Sequence, residues 1–153
     1  MDVKYINPFL NATLNVIKTM AFVDVKPGKP YLKKDHLAKG DVTGIIGLTG
    51  ETSGSLSVTF NFELIKQIMK NMLGEEITEV TNDVRDAVGE LTNMISGDAR
   101  RMLQQEGLHL SAAIPTIVAG QNHTIKHVIS GPIIVIPFSS DGGGLASVEV
   151  SLK

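Results

Sequence analysis

The run Asp86-Ala87-Val88-Gly89-Glu90-Leu91-Thr92-Asn93-Met94-Ile95-Ser96-Gly97 decides how this chain is read. It lies within a stretch from about Asp83 to Glu106 that has candidate caps at Thr81, Asn82 and Asp83 and a stop at Gly107, which predicts the longest helix of the protein. Advancing about 100° per residue from Leu91, the residues Val84, Ala87, Val88, Met94, Ile95 and Met102 gather on one side, the expected core face. Asp86, Glu90, Asn93, Gly97, Arg101 and Gln104 fall on the other side as one polar stripe, with Glu90 and Asn93 near neighbours on it. Every amphipathic helix has a solvated face, and Glu with Asn three residues later is common, so spacing alone leaves the stripe open between solvation and function. Gly89 and Gly97 each cost a helix about 1 kcal/mol relative to Ala. A closely packed neighbour explains them as well as a functional surface does. Asp98 projects near the apolar side, where Arg101 or Arg85 is its expected partner.

Working outward, Phe9, Leu10, Thr13, Leu14, Val16, Ile17 and Met20 have helical spacing over residues 8–20, with Pro8 suited to a first turn after Asn7. Val23 to Gly40 carries Pro27, Gly28, Pro30 and several lysines, and reads as a solvated connector with room for a short edge strand. Val42 to Thr49 and Gly54 to Phe60, separated by Gly50-Glu51-Thr52-Ser53, predict a hairpin. Asn61 caps a second helix with Leu64, Ile65, Ile68, Met69, Met72 and Leu73 on one face and Gly74 as its end. Leu108 to Ala113, a break at Pro115, Thr116 to Ala119, a β-rich stretch from Thr124 to Phe138, and Leu145 to Leu152 complete the chain. The expected fold class is α+β, an antiparallel-rich sheet packed by about three helices in a single domain spanning 1–153.

The 153 residues carry 14 Lys and Arg against 16 Asp and Glu, a net charge of −2, with no basic block to neutralise phosphates. A nucleic-acid module is therefore not expected. Absence of cysteine removes thiol catalysis, zinc-thiolate sites and any sign of an oxidising compartment. The longest apolar run, Ile133 to Ile136, is far too short to span a bilayer, and the N-terminus has no leader pattern. A cytoplasmic, membrane-free protein is expected.

Other candidate sites are weaker. His123 and His127 would share a face of an extended strand but stand ~13 Å apart along it, too far to hold one metal ion, and His109 does not mend this. Gly142-Gly143-Gly144 lacks the Lys-Ser/Thr and following helix of a phosphate loop, so it reads as a hairpin turn. Ser53, Ser55 and Ser57 have no nucleophile-elbow context. Met69, Met72, Met94 and Met102 are at core spacing. No metal site is assigned.

The segment Asp86 to Gly97 resembles the motif helix of the chemotaxis phosphatases CheC, CheX and FliY. In that family an Asp or Ser is followed by three residues, Glu, two residues, Asn, and a Pro about a strand later, a position that Pro115 fills. Ile46-Gly47-Leu48-Thr49-Gly50 with Gly54-Ser55-Leu56, and Pro115-Thr116-Ile117-Val118-Ala119-Gly120, extend the resemblance from about Asn7 to Leu152. Among the three the chain most resembles CheX, in its length and its one intact motif. Ala12-Thr13-Leu14-Asn15 in the first helix keeps the Asn and replaces the Glu.

The resemblance implies a CheC/CheX-like fold and a phosphatase acting on the phospho-aspartate of a CheY-like response regulator. One active surface is implied per chain. The aspartyl phosphate and Mg²⁺ would belong to the regulator, and no cofactor to this chain. Asn93 would position the attacking water and Glu90 would dock the regulator through a lysine beside the phosphorylation site. Asp86, Gly97 and Arg101 would extend the partner-binding stripe. Glu90 as general base is less favoured, because a loose transition state demands little proton abstraction. A homodimer is expected through sheet edges, with Thr124 to Phe138 supplying one. The competing reading is a non-catalytic receiver-binding adaptor in chemotaxis signalling.

Overall fold

The computed structural model describes residues 3–35, 38–121, 123–125 and 131–153. Among these residues three helices, α1 (Val3–Ala21), α2 (Phe62–Leu73) and α3 (Asn82–Gln105), accompany eight strands. The strands are β1 (Lys26–Pro27), β2 (Tyr31–Leu32), β3 (Val42–Gly50), β4 (Gly54–Phe60), β5 (Leu110–Ala112), β6 (Thr116–Ala119), β7 (Ile134–Ser139) and β8 (Leu145–Leu152). They form one antiparallel sheet of order β1-β7-β8-β4-β3-β5, with β2 also on β7 and β6 also on β3. The α+β class is as expected, since consecutive short strands joined by tight turns pair antiparallel.

The hairpin β3–β4 keeps the register Val42↔Phe60 through Leu48↔Gly54. This puts Val42, Ile46, Leu48, Leu56, Val58 and Phe60 on one face, all buried under the helices. Asn61 does more than cap α2. Its Oδ1 accepts from Leu64 N–H at 3.0 Å and from Leu145 N–H at 2.8 Å, and its Nδ2 donates to Gly143 O at 3.1 Å, so one side chain ties the helix to the β7–β8 turn. Gly74 ends α2 in the left-handed region at φ 68, as its position predicts. Thr81 caps α3, accepting from Val84 N–H at 3.2 Å.

Three expectations are corrected. The first helix starts at Val3, so Pro8 lies inside it. The lost Pro8 donor would have met Lys4 O, near a surface end where water can take its place, while Ile6 packs into the core and rewards the added turn. The connector is only partly solvated, because Val23, Val25 and Ala38 are buried and β1 and β2 both pair with β7. For the same reason the strand within Thr124 to Phe138 offers no free edge: β7 is hydrogen-bonded to β8 on one side and to β1 and β2 on the other. Residues 126–130 of that stretch, His127 included, lie outside the described residues.

The second face of the sheet is polar yet covered. Thr43, Ser57, Thr59, Glu149 and Ser151 are all buried. Lys33 Nζ meets Glu149 Oε2 at 2.6 Å with both side chains nearly inaccessible, and the Thr43 hydroxyl links Thr59 Oγ1 at 2.7 Å with His123 Nε2 at 2.5 Å. His123 Nδ1 is 2.6 Å from Gly120 O. These contacts hold the chain around Lys33 and His123 over the sheet, leaving the other face for the helices.

Candidate functional site

The position of α3 is set by one close approach. Thr92 is buried, its hydroxyl donating back to Val88 O at 2.7 Å, and its Oγ1 fills the space where Gly44 of β3 would carry a β-carbon. Gly89 and Gly97 meet no such crowding: a β-carbon at Gly89 would be 3.6 Å from Ile117 Cδ1, and one at Gly97 3.9 Å from Arg100. The glycine that close packing requires is therefore on the sheet, opposite the helix.

Contact with both the sheet and α1 buries a wide arc of α3, namely Val84, Ala87, Val88, Leu91, Thr92, Ile95, Ser96, Ala99 and Leu103. Met94 and Met102, expected in the core, are half-buried at its margins, because the arc is centred closer to Thr92 and Ser96 than apolarity suggests. Each Leu, Ile or Val in it stabilises by roughly 1.5–3 kcal/mol when fully buried. The helix is thus a rigid mount.

On its outer side Asp86, Glu90, Asn93, Arg101 and Gln104 are exposed and Gly97 is half-buried. The stripe read from the sequence is brought together as one surface. Glu90 and Asn93 are one turn apart, about 5–6 Å between β-carbons, and among the described residues no hydrogen bond or ion pair engages either side chain or that of Asp86. Asp98 Oδ1 meets Arg101 Nη1 at 3.0 Å, the partner expected for it. Along the stripe itself Asp86 and Glu90 precede Asn93 and Arg101 follows it, so its two ends carry opposite charge. Beyond Asn93, a shallow cleft of about 210 Å³ is lined by Gly97, Arg100, Arg101, Gln104, His109 and Leu110. Arg100 is held there by its Nε donating to Ser96 Oγ at 3.2 Å. Sequence periodicity missed Arg100 and His109, which come from the flank of the stripe and from the chain after the helix.

The matching stretch of α1 is built differently. Ala12 is fully buried and Asn15 exposed, so the position matching Glu90 carries only a buried methyl group. The larger cleft, about 540 Å³ and lined by Tyr31, Lys33, Lys34, Pro137 and Glu149 among others, adjoins the covered face of the sheet and shares no residue with the stripe. Among the described residues no group of three or more His, Asp or Glu is arranged to hold a metal ion, and no helix is long and apolar enough to cross a membrane.

Known proteins share this architecture. A CheC-like superfamily protein from Shewanella sp. PV-4 is 51% identical and superposes with a TM-score of 0.93, covering 100% of this chain and 99% of that one. The CheX of the CheX–CheY–BeF3–Mg²⁺ complex from Borrelia burgdorferi is 28% identical, with a TM-score of 0.82 and 97% of each chain covered. The CheY-P phosphatase CheX of Thermotoga maritima is 29% identical over 140 residues, 91% of this chain and 89% of that protein. Residues 42–139, from the hairpin under α3 through the helix to β7, match the family described as chemotaxis phosphatase CheX, and it is to this family that the chain belongs.

Proposed function

We propose that this protein hydrolyses the aspartyl phosphate of a CheY-like response regulator, with Asn93 positioning the attacking water and Glu90 docking the regulator. The observation that carries the reading is the exposed, unengaged Glu90–Asn93 pair on a helix whose opposite side is locked into the core. The Thermotoga relative, named for this activity, and the Borrelia complex with CheY support it.

Water attacks phosphorus as the bond to the aspartyl oxygen breaks, giving inorganic phosphate and a free carboxylate on the regulator; the water's proton leaves on the phosphate. Mg²⁺ enters with the regulator and offsets charge on the phosphoryl oxygens. What remains for the phosphatase is alignment, and a carboxamide can both accept from and donate to such a water. The Glu90 carboxylate pairs with a lysine near the phosphorylation site. Asp86 prolongs the docking surface on one side of the pair. Gly97, with no side chain, and Arg101 prolong it on the other. Pairing of two copies belongs to the same proposal and is checked by the mass in sedimentation.

The test is phosphate release from a Mg²⁺-bound, acetyl-phosphate-labelled CheY-like receiver from the same cell, with catalytic amounts of this protein. Multiple turnovers are expected, falling by about 10²- to 10³-fold in Asn93→Ala with binding retained. Binding without acceleration would mark an adaptor instead.

A further inference from the structure

The edge strand beside α3 is broken at one point, and the break presents a side chain that the fold does not use. β5 and β6 follow one another along the outer side of β3, opposite Leu48–Gly50 and Val42–Ile45 respectively. Between them Ala113 N–H still donates to Gly47 O at 3.0 Å. Pro115 then offers no donor and confines the residue before it to extended conformations. That residue, Ile114, is 89% exposed, more than any other large apolar side chain among the described residues.

A lone exposed hydrophobe is ordinary; the location of this one is not. Gly89 lies against Ile117, while the turn from Gly97 to Gln104 shares its cleft with His109 and Leu110. α3 therefore runs antiparallel to the β5–β6 edge, and Asn93, midway between Gly89 and Gly97, comes level with Ala113–Pro115. The stripe itself is polar throughout. Interfaces gain most of their free energy from a few desolvated apolar or aromatic anchors surrounded by polar contacts, and among the described residues Ile114 alone of the exposed large hydrophobics belongs to the edge beside the stripe.

We propose that Ile114 is a docking anchor for the phosphorylated receiver domain, seated against an apolar spot near the receiver's phosphorylation site while Glu90 and Asn93 reach the site itself. This rests on the function proposed above and adds a specificity-determining residue to it. The tether at Ala113 and the restriction by Pro115 hold the Ile114 backbone in place before docking, which lowers the cost of binding.

Steady-state phosphate release from the same labelled receiver, read as KM and kcat, tests it. Ile114→Ser is expected to raise KM about tenfold and leave kcat within about twofold, Ile114→Met to restore most of the loss, and Leu73→Ser, an exposed apolar change at the end of α2, to do nothing. An unmoved KM in Ile114→Ser, an equal rise in Leu73→Ser, or a changed mass in sedimentation with KM unmoved would overturn it, the last by assigning Ile114 to a second copy of the chain. Wild-type protein that neither turns over nor binds the receiver would instead remove the function on which the anchor rests.

Discussion

Thr92 of α3 and Gly44 of β3 fit together so closely that the Thr92 β-carbon would stand 3.0 Å from a β-carbon on Gly44, with the Thr92 hydroxyl nearer still. This contact fixes how far the Glu90–Asn93 helix stands above the sheet. Gly44→Ala is expected to lower stability by about 2 kcal/mol, roughly 4–8 °C in Tm, as overpacking does. Adding Thr92→Ala should recover part of the loss. Thermal unfolding of the two single variants and the double variant reads the coupling directly.

Glu90→Gln keeps the size of the side chain and removes its charge. If Glu90 docks a cationic group of the receiver, KM rises roughly fivefold at low ionic strength, and the variant's KM changes less with added salt than the wild type's. A fall in kcat at constant KM would instead place Glu90 in the chemical step.

Asn61 joins α2 to the β7–β8 turn through three hydrogen bonds. Asn61→Ala removes the cap and strands Leu145 N–H, so a loss of about 2 kcal/mol is expected. Asn61→Asp, which retains the acceptor, should lose less. Hydrogen exchange at Leu64 and Leu145 should accelerate in the alanine variant before the core is affected.

Glu75, half-buried ahead of α3, has its carboxyl pKa held above the ordinary carboxylate range, by lost hydration first and then by the hydrogen bond and like charge of Asp83. A carboxyl with a raised folded-state pKa stabilises the fold below its unfolded value, about 4.3, and that stabilisation disappears as pH rises through the folded value. Glu75→Gln should therefore raise Tm slightly relative to wild type at pH 7, with the gain disappearing near pH 4. Paired melts at the two pH values check the sign.

Much of the candidate site's geometry was legible because it is local. The 3.6-residue period placed Asp86, Glu90, Asn93 and Arg101 on one face, and the structure leaves that face in solvent. The α2 caps, Asn61 and Gly74, were legible for the same reason: each acts within one helical turn. The start of α1 was not, because Pro8 signals a first turn locally while the burial of Ile6 against distant residues extends the helix past it. Nor was the second face of the sheet, whose serines and threonines suggest solvent and whose cover, Lys33 with Glu149 and His123 with Thr43, joins residues 116 and 80 positions apart.

The sequence by itself determined which residues turn outward on the longest helix, since side-chain direction on a helix follows from backbone geometry alone. Tertiary structure alone decided that Ala12 is buried beside an exposed Asn15 while Glu90 stands free beside Asn93, that Gly44 rather than Gly89 accommodates the close approach, and that Ile114 is left exposed between β5 and β6. Those outcomes depend on which elements pack together and at what distance. Contacts between residues far apart in the chain set that distance, and no local period records it.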